Sequence, residues 1–235
     1  MTYRLHYWPS IQGRGEFVRL ILEHQQLEYE DVARAEEDGP QNVRTLMMDR
    51  ERNPHGLSPP FLETDDHILS QMPAICHWLA SETSFVASQN PQISLQFALT
   101  IGDVVAEVHD THHPLGSSLY FEEQTDAAKT NARQFLEDRL PRFLSFFESS
   151  IENGHVMGTP NYLDLMLFQL IGGLRYAFPN CMRGMLTDHP RLETLAAEVA
   201  DLEVLSDYLH SDRRIPFNED GIFRHYAALD MGRQE

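Results

Sequence analysis

The stretch of this sequence richest in usable chemistry runs from Ser58 to Ala80, SPPFLETDDHILSQMPAICHWLA. Pro59-Pro60 offers an X-Pro bond, the one common place for a cis peptide. A proline ahead of a strand cannot donate to a ladder, so it sits at the strand's start or in a bend. A cis turn there would leave the N–H and C=O of Phe61 pointing outward, ready to pair with an extended peptide added as an extra strand. A few residues on, Pro73 opens a helical pattern through Ile75, Trp78 and Leu79. Proline suits the first helical turn, where its missing N–H has no partner anyway. The start of that helix presents N–H groups and a positive dipole end to a carboxylate. Together these features describe a receptacle for a small peptide with a free carboxylate.

Other reactive types are scattered along the chain. His109 and His113 share a helix face at i, i+4, a metal-ligand spacing, with His112 beside them. No glutamate follows as in HExxH, so a structural or interface role outweighs a metal site. Asp103, Glu107 and Asp110 make an acidic stripe, either a solvated face or part of an interface. Cys76 and Cys181 lie far apart in apolar contexts with no CxxC, and they read as buried reduced thiols.

These groups are carried by a chain whose character changes near residue 82. Tyr3 to Tyr7 alternates polar and apolar residues and reads as a strand. Trp8-Pro9-Ser10 ends it, and Gly13-Arg14-Gly15 begins a helix with Phe17, Val18, Ile21 and Leu22 on its inner side. A second strand is expected near Tyr29 to Ala33, then a polar loop from Glu36 to Gln41 and a short helix from Val43 to Arg50. The hairpin of Phe61-Leu62 and His67-Ile68-Leu69, with its tip at Thr64-Asp65-Asp66, precedes the helix opened by Pro73. This completes a β-α-β-α-β-β-α unit by about Glu82, its parallel strands joined by a crossover.

Ser81 to Pro91 is polar and aperiodic, a linker, and the chain beyond it reads helical. Phe97, Ile101, Val104, Val105 and Val108 mark a long amphipathic helix that Pro114 ends. Another runs from about Thr125 to Ile151, kinked at Pro141. Asn161 as N-cap with Asp164 three residues on form a reciprocal capping pair. The nearly all-apolar run to Leu174 belongs at the centre of a bundle. Two more helices are expected at Pro190 to Asp201 and Val204 to Leu209. The tail, Asp212 to Glu235, carries too many large apolar groups to be disordered. A strand-like segment packing back across the domain interface and walling a pocket is expected there.

The chain has 235 residues, with 18 Lys+Arg against 36 Asp+Glu and a formal charge of -18. That length allows one or two compact domains. The acidic balance argues against nucleic acid or an anionic membrane surface as partner, since both demand basic patches. Lys129 is the only lysine, so an anion site must use arginine, backbone N–H groups or helix ends. MTYRLHYW lacks the basic and apolar regions of a secretory signal, and the apolar run at Leu163 to Leu174 is too short to span a bilayer. A soluble, cytoplasmic protein is expected.

Taken in order, YWPSIQGRGEFVRL, PPFLETDDHILSQ and the Asn161/Asp164 cap resemble a cytosolic glutathione S-transferase. The likeness is to the tyrosine-using, sigma-, mu- or pi-like kind, with a bacterial source expected, and it covers the chain up to about His210. The family pattern is a cis-proline, a ββ hairpin, a Gln-Ser pair and a helix; Met72 stands where the family usually has serine. The resemblance implies an α/β thioredoxin-like N-terminal domain over residues 1–82, a linker over 83–92 and an all-α domain with a C-terminal tail over 93–235. Thioredoxins carry a CxxC after the first strand, where this chain has Trp8-Pro9-Ser10-Ile11, so disulfide exchange is not expected. A homodimeric detoxification enzyme is implied, with glutathione as co-substrate, no metal, and a small hydrophobic electrophile as second substrate. A glutathione-dependent isomerase, lyase or peroxidase, or a binding or scaffold protein without turnover, would share the fold.

The resemblance also assigns residues. A thiol of pKa ~8.5 is only about 3% ionised at pH 7, and lowering it by ~2 units makes it mostly thiolate for roughly 2.7 kcal/mol. A hydroxyl donating to the sulfur does this. Tyr7 stands where tyrosine-using members place that hydroxyl, with Arg14 near the same sulfur; the bland alternative for Tyr7 is an aromatic packed at a strand end. Ser10 is the alternative hydroxyl. Glutathione would meet Trp8, Pro60 and the main chain of Phe61, then Gln71 and the N–H of Met72 at its γ-glutamyl end, and Arg44 at its glycyl carboxylate. Asp103 would reach the γ-glutamyl amine across a dimer interface. Tyr120, Phe121, Tyr176 and Phe178 would line the second-substrate pocket, unless they belong to the core.

Overall fold

A computed structural model of the chain describes residues 2–86, 90–116 and 118–230; positions 87–89 of the expected linker and 231–235 of the tail lie outside them. A four-stranded sheet is built from β1 (Tyr3–His6), β2 (Tyr29–Asp31), β3 (Phe61–Glu63) and β4 (Ile68–Ser70). Its strand order is β2-β1-β3-β4. β1 runs parallel to β2 with Tyr3 opposite Tyr29 and antiparallel to β3 with Leu5 opposite Leu62. β3 and β4 form the expected hairpin. Its tip is held by Thr64, whose hydroxyl accepts from the N–H groups of Asp66 and His67.

α1 (Gly15–His24) crosses over between the parallel pair, and Phe17, Val18, Leu20, Ile21 and Leu22 are fully buried along it. The second strand stops two residues earlier than expected. Val32 and Ala33 belong to a one-turn helix, α2 (Val32–Ala35), which buries Val32. α3 (Gly39–Met48) starts inside the stretch read as loop, because Pro40 fits its first turn. α4 (Met72–Glu82) closes the unit.

From residue 91 to Leu209 the described chain is helices joined by turns, apart from one small hairpin. α5 (Pro91–His112) is capped by Asn90, whose side chain accepts from Gln92 N–H at 3.1 Å. The helix expected from Thr125 to Ile151 is α6 (Thr125–Gln134), then a π-helical turn over Phe135–Arg139, then α7 (Leu140–Ser149). The irregular turn lies just before Pro141, which has no N–H to return to the preceding turn. The two-stranded hairpin of β5 (Ile151–Glu152) and β6 (His155–Val156) leads to α8 (Tyr162–Ala177). There the reciprocal cap forms as expected: Asn161 Oδ1 accepts from Leu163 N–H at 2.9 Å, and Asp164 Oδ2 accepts from Asn161 N–H at 3.1 Å. α8 is the bundle's centre, with Leu163, Met166, Leu167, Leu170, Ile171 and Leu174 fully buried.

α9 (Pro179–Thr187), α10 (Pro190–Ala200) and α11 (Glu203–Leu209) complete the helices. The tail forms no strand; Pro216, Asn218 and Gly221 break it into turns. It nevertheless packs back across both halves of the molecule. Ile215, Ile222, Phe223 and Leu229 are buried. Asp230 caps α9 by accepting from the N–H groups of Asn180 and Cys181 at 2.8 and 3.0 Å.

Candidate functional site

The site begins where β1 ends. Tyr7 is 3% exposed, and its hydroxyl oxygen accepts from the Arg14 N–H at 2.9 Å. The Gly-Arg-Gly turn is shaped around that ring. A Cβ at Gly13 would overlap the hydroxyl oxygen, and one at Gly15 would lie 2.5 Å from ring atom Cδ1. Gly13 also has φ +44°, a left-handed conformation that glycine adopts without penalty. The Arg19 guanidinium stands 6.0 Å from the ring centroid.

Burial raises the phenol's pKa, outweighing the Arg14 N–H and the charges of Arg14 and Arg19, which lower it. The hydroxyl therefore stays protonated at neutral pH. One of its lone pairs is occupied by the Arg14 N–H, and its proton remains to be donated. This is a polarised O–H suited to an anion.

Around it, the Arg44 guanidinium lies 5.7 Å from the Trp8 ring centroid, which brings α3 to the end of β1. Ser10 is exposed, and its carbonyl accepts from Asn218 Nδ2 of the tail at 2.7 Å. The Pro59-Pro60 bond is cis and Pro60 is buried. Phe61 departs from expectation. It lies within the sheet, opposite His6 on one side and Ser70 on the other, so an added strand cannot reach its main chain. Pro59, half-buried just outside the ladder, has a carbonyl to offer and no N–H.

Gln71 takes φ +70° at the turn into α4. Met72 is 1% exposed and its side chain belongs to the hydrophobic core. As the first residue of α4, it has an N–H without a partner inside the helix. Asp103 is exposed on α5, next to Gly102, where a Cβ would come 2.9 Å from Pro73 Cγ of α4. The acidic stripe is interrupted: Glu107 receives Arg139 Nη2 and Nε at 2.6 and 3.0 Å.

Of the four aromatics expected at a second-substrate pocket, two meet the tail. Phe121 stacks on Tyr226 with centroids 4.0 Å apart, and Tyr176 stacks on Phe217 at 5.2 Å. The other two do not join them. Tyr120 is 76% exposed, and Phe178 is 1% exposed, packed on Phe135 at 6.1 Å.

Residues that the sequence reading passed over tie the two halves together. Gln12 donates to the Ile215 carbonyl at 2.5 Å and accepts from Gln169 Nε2 at 2.7 Å. Glu16, fully buried on α1, accepts from Tyr208 Oη at 2.9 Å and lies 3.4 and 3.6 Å from Arg214 and Arg19. Arg19 in turn donates to Asp31 at 2.8 Å. Burial raises the Glu16 pKa against the pull of Arg19 and Arg214. The available signal was Glu16 and Arg19 placed three apart on an otherwise apolar helix face. Burial raises both thiol pKa values, that of Cys181 to about 12. Among the described residues no group of three or more His, Cys, Asp or Glu side chains could hold a metal ion, and no helix is long and apolar enough to cross a membrane.

Residues 109–212 match the family model described as glutathione S-transferase, C-terminal domain. A glutathione S-transferase of Plasmodium yoelii yoelii is 27% identical over 192 residues, 78% of this chain and 86% of the relative. Among solved structures, a Pi-class glutathione S-transferase of Onchocerca volvulus superposes with TM-score 0.64 at 22% identity, covering 94% of this chain and 99% of that one. The prostaglandin synthase D of Nilaparvata lugens superposes with TM-score 0.65 at 18% identity, over 92% and 100%. Residues 109–212 are thus similar to the glutathione S-transferase C-terminal domain, and the whole chain shares the fold of these solved structures, a mixed sheet followed by a helical bundle.

Proposed function

We propose that this protein ionises the thiol of bound glutathione and directs it at small electrophiles, in the manner of the tyrosine-using, sigma-, mu- or pi-like classes. The observation that carries the reading is the Tyr7 hydroxyl, buried, protonated and polarised by the Arg14 N–H at 2.9 Å. Donation of its proton as a hydrogen bond to the sulfur stabilises the thiolate over the thiol. Arg14 adds positive potential. Arg44 and Trp8 take the glycyl carboxylate, while Gln71 and the Met72 N–H take the γ-glutamyl end. The cysteinyl main chain meets Pro59 rather than Phe61, through one acceptor.

The second substrate lies between α5, α8 and the tail, near Phe121 and Tyr176. The exposed face of α5 pairs two copies of the chain, which would let Asp103 reach the γ-glutamyl amine of the neighbouring site. Residues 1–82, 83–92 and 93–235 are the working division of the chain, and the cytoplasm is its place of action.

Met72 raises a second reading, a binding protein without turnover. With that side chain in the core and its N–H at the start of α4, the change from serine removes one contact of about 1 kcal/mol. An isomerase, lyase or peroxidase would start from the same thiolate. The test is capture on immobilised glutathione followed by turnover with an aryl halide, in which sulfur replaces halide on the ring. Capture with turnover above the buffer rate supports the reading, and absence of both refutes it.

A further inference from the structure

The far side of the proposed pocket carries charge that glutathione does not use. His109, His112 and His113 cluster at the end of α5 with ring centroids 4.6–5.2 Å apart. His112 is the buried member, its Nε2 donating to the Ile222 carbonyl of the tail at 2.9 Å. His113 Nδ1 donates to the Leu119 carbonyl at 3.1 Å. Its Nε2 is left to accept from Arg224 Nη1 at 3.3 Å. The remaining contacts of the guanidinium are to the Gly221 carbonyl at 2.7 Å and the Asp220 carbonyl at 3.1 Å.

Arg224 is thus half-buried and fixed entirely by neutral acceptors. Among the described residues no carboxylate lies within ion-pair distance of it. Ten other arginines among the described residues have a carboxylate at that distance. A guanidinium held rigid without one is preorganised for an anion, because little side-chain freedom is left to lose. The cluster also lies within electrostatic reach of Arg14, the residue whose N–H holds Tyr7. Burial first, and then the charge of Arg14 for His109 and of Arg224 for His113, keep both rings neutral. Asp110 lies 3.6 Å from His109 and is largely exposed, and Asp220, whose main-chain carbonyl accepts from Arg224, is exposed as well. Arg44, the cation assigned to the glycyl carboxylate, belongs to α3.

We propose that the second substrate is an amphiphilic electrophile bearing a carboxylate or similar anion. Arg224 receives the anion with His113 and His109 beside it, the apolar body lies against Phe121 and Tyr226, and the electrophilic carbon points toward Tyr7. This rests on the transferase reading above and names its substrate class.

The test uses the full-length protein with glutathione and two probes, benzylideneacetone and its para-carboxylate. In both, the thiolate adds to the β-carbon, the π pair moves to the carbonyl oxygen, and the α-carbon takes a proton from water. The carboxylated probe should show kcat/KM about tenfold above the neutral one, the ratio expected of one charge-assisted hydrogen bond. Arg224→Gln should bring that ratio to about one, while Arg224→Lys should keep most of it; thermal unfolding of each variant reports on the fold. Equal kcat/KM for the two probes in the parent protein, or a preference untouched by Arg224→Gln, would overturn the inference. If neither probe is turned over, the transferase reading falls, and titration with the chemically prepared S-conjugates still decides. Selective weakening of the carboxylated conjugate by Arg224→Gln supports the anion site, and equal binding of the two conjugates refutes it.

Discussion

Gly13→Ala is the sharpest perturbation of the proposed thiol-activating site, because it adds one methyl group directly over Tyr7. Two costs arise. The left-handed backbone, φ +44°, costs a non-glycine residue about 1–2 kcal/mol. The new Cβ overlaps the Tyr7 hydroxyl oxygen, so the ring must shift and the bond to Arg14 N–H is lost, at about 1 kcal/mol. A total near 2–3 kcal/mol should lower Tm by about 4–12 °C in a chain of this size. Activity should fall further than stability alone requires. A hydrogen bond from a displaced hydroxyl to a thiolate is worth about 1.5–3 kcal/mol, which predicts a loss of about 10- to 150-fold in kcat/KM. The assay is aryl-halide conjugation at a temperature where the variant is fully folded, alongside calorimetric Tm. Gly184→Ala in α9 is the control, since its Cβ would meet nothing within 4 Å and helix propensity predicts a gain of up to about 1 kcal/mol. Full activity in Gly13→Ala would refute the claim that the turn is shaped to hold the hydroxyl.

Other consequences are as direct. Burial holds the His112 pKa down at about 3 against an ordinary 6.5, so its contribution is intact above pH 6.5 and is lost as pH falls toward 3. At pH 5 the loss is about 2 kcal/mol, and His112→Gln should lose that much less stability than the parent between pH 7 and 5 in urea titrations. Phe223 is 2% exposed against Gly173; Phe223→Ala should cost about 3–5 kcal/mol, and a loss below 1 kcal/mol would show that the tail is loosely held. Ending the chain after Ser211 should change electrophile preference while glutathione capture survives; an unchanged substrate profile would show that the tail does not wall the pocket. Arg44→Ala should raise KM for glutathione about tenfold with kcat little changed, as expected on removing one contact to a carboxylate. An unchanged KM would leave Arg44 a solvated residue.

The architecture was legible because periodicity and caps are local. The alternation of Tyr3 to Tyr7, the apolar α8 and the Asn161/Asp164 cap each declare themselves within a few residues. α9 was not legible, because PNCMRGMLT has little apolar period and its start is capped by Asp230, some fifty residues away. Tyr7 could be picked out by its place in the chain, but the reason for Gly13 and Gly15 could not, since it lies in the volume of a ring several residues earlier. Phe61 was misread because a proline-led strand looks like an edge until its neighbours are known, and β1 and β4 flank it on both sides. Met72 stands where the family usually has serine, and that its side chain turns into the core depends on packing the local sequence does not show. The buried Glu16, Arg19, Tyr208 and Arg214 group joins residues almost two hundred positions apart, and no spacing rule brings such groups together.

The central claim is that the Tyr7 hydroxyl lowers the pKa of the bound thiol. Its most direct test is ultraviolet titration of thiolate absorbance in the glutathione complex, for the parent protein, Tyr7→Phe and Ser10→Ala. The account predicts a bound thiol about 2 units below the free value of ~8.5 in the parent protein. In Tyr7→Phe it should rise by about 1–2 units with glutathione affinity retained, a change worth about 1.4–2.7 kcal/mol, while Ser10→Ala titrates like the parent. A midpoint unmoved by Tyr7→Phe, or one moved by Ser10→Ala instead, would contradict it.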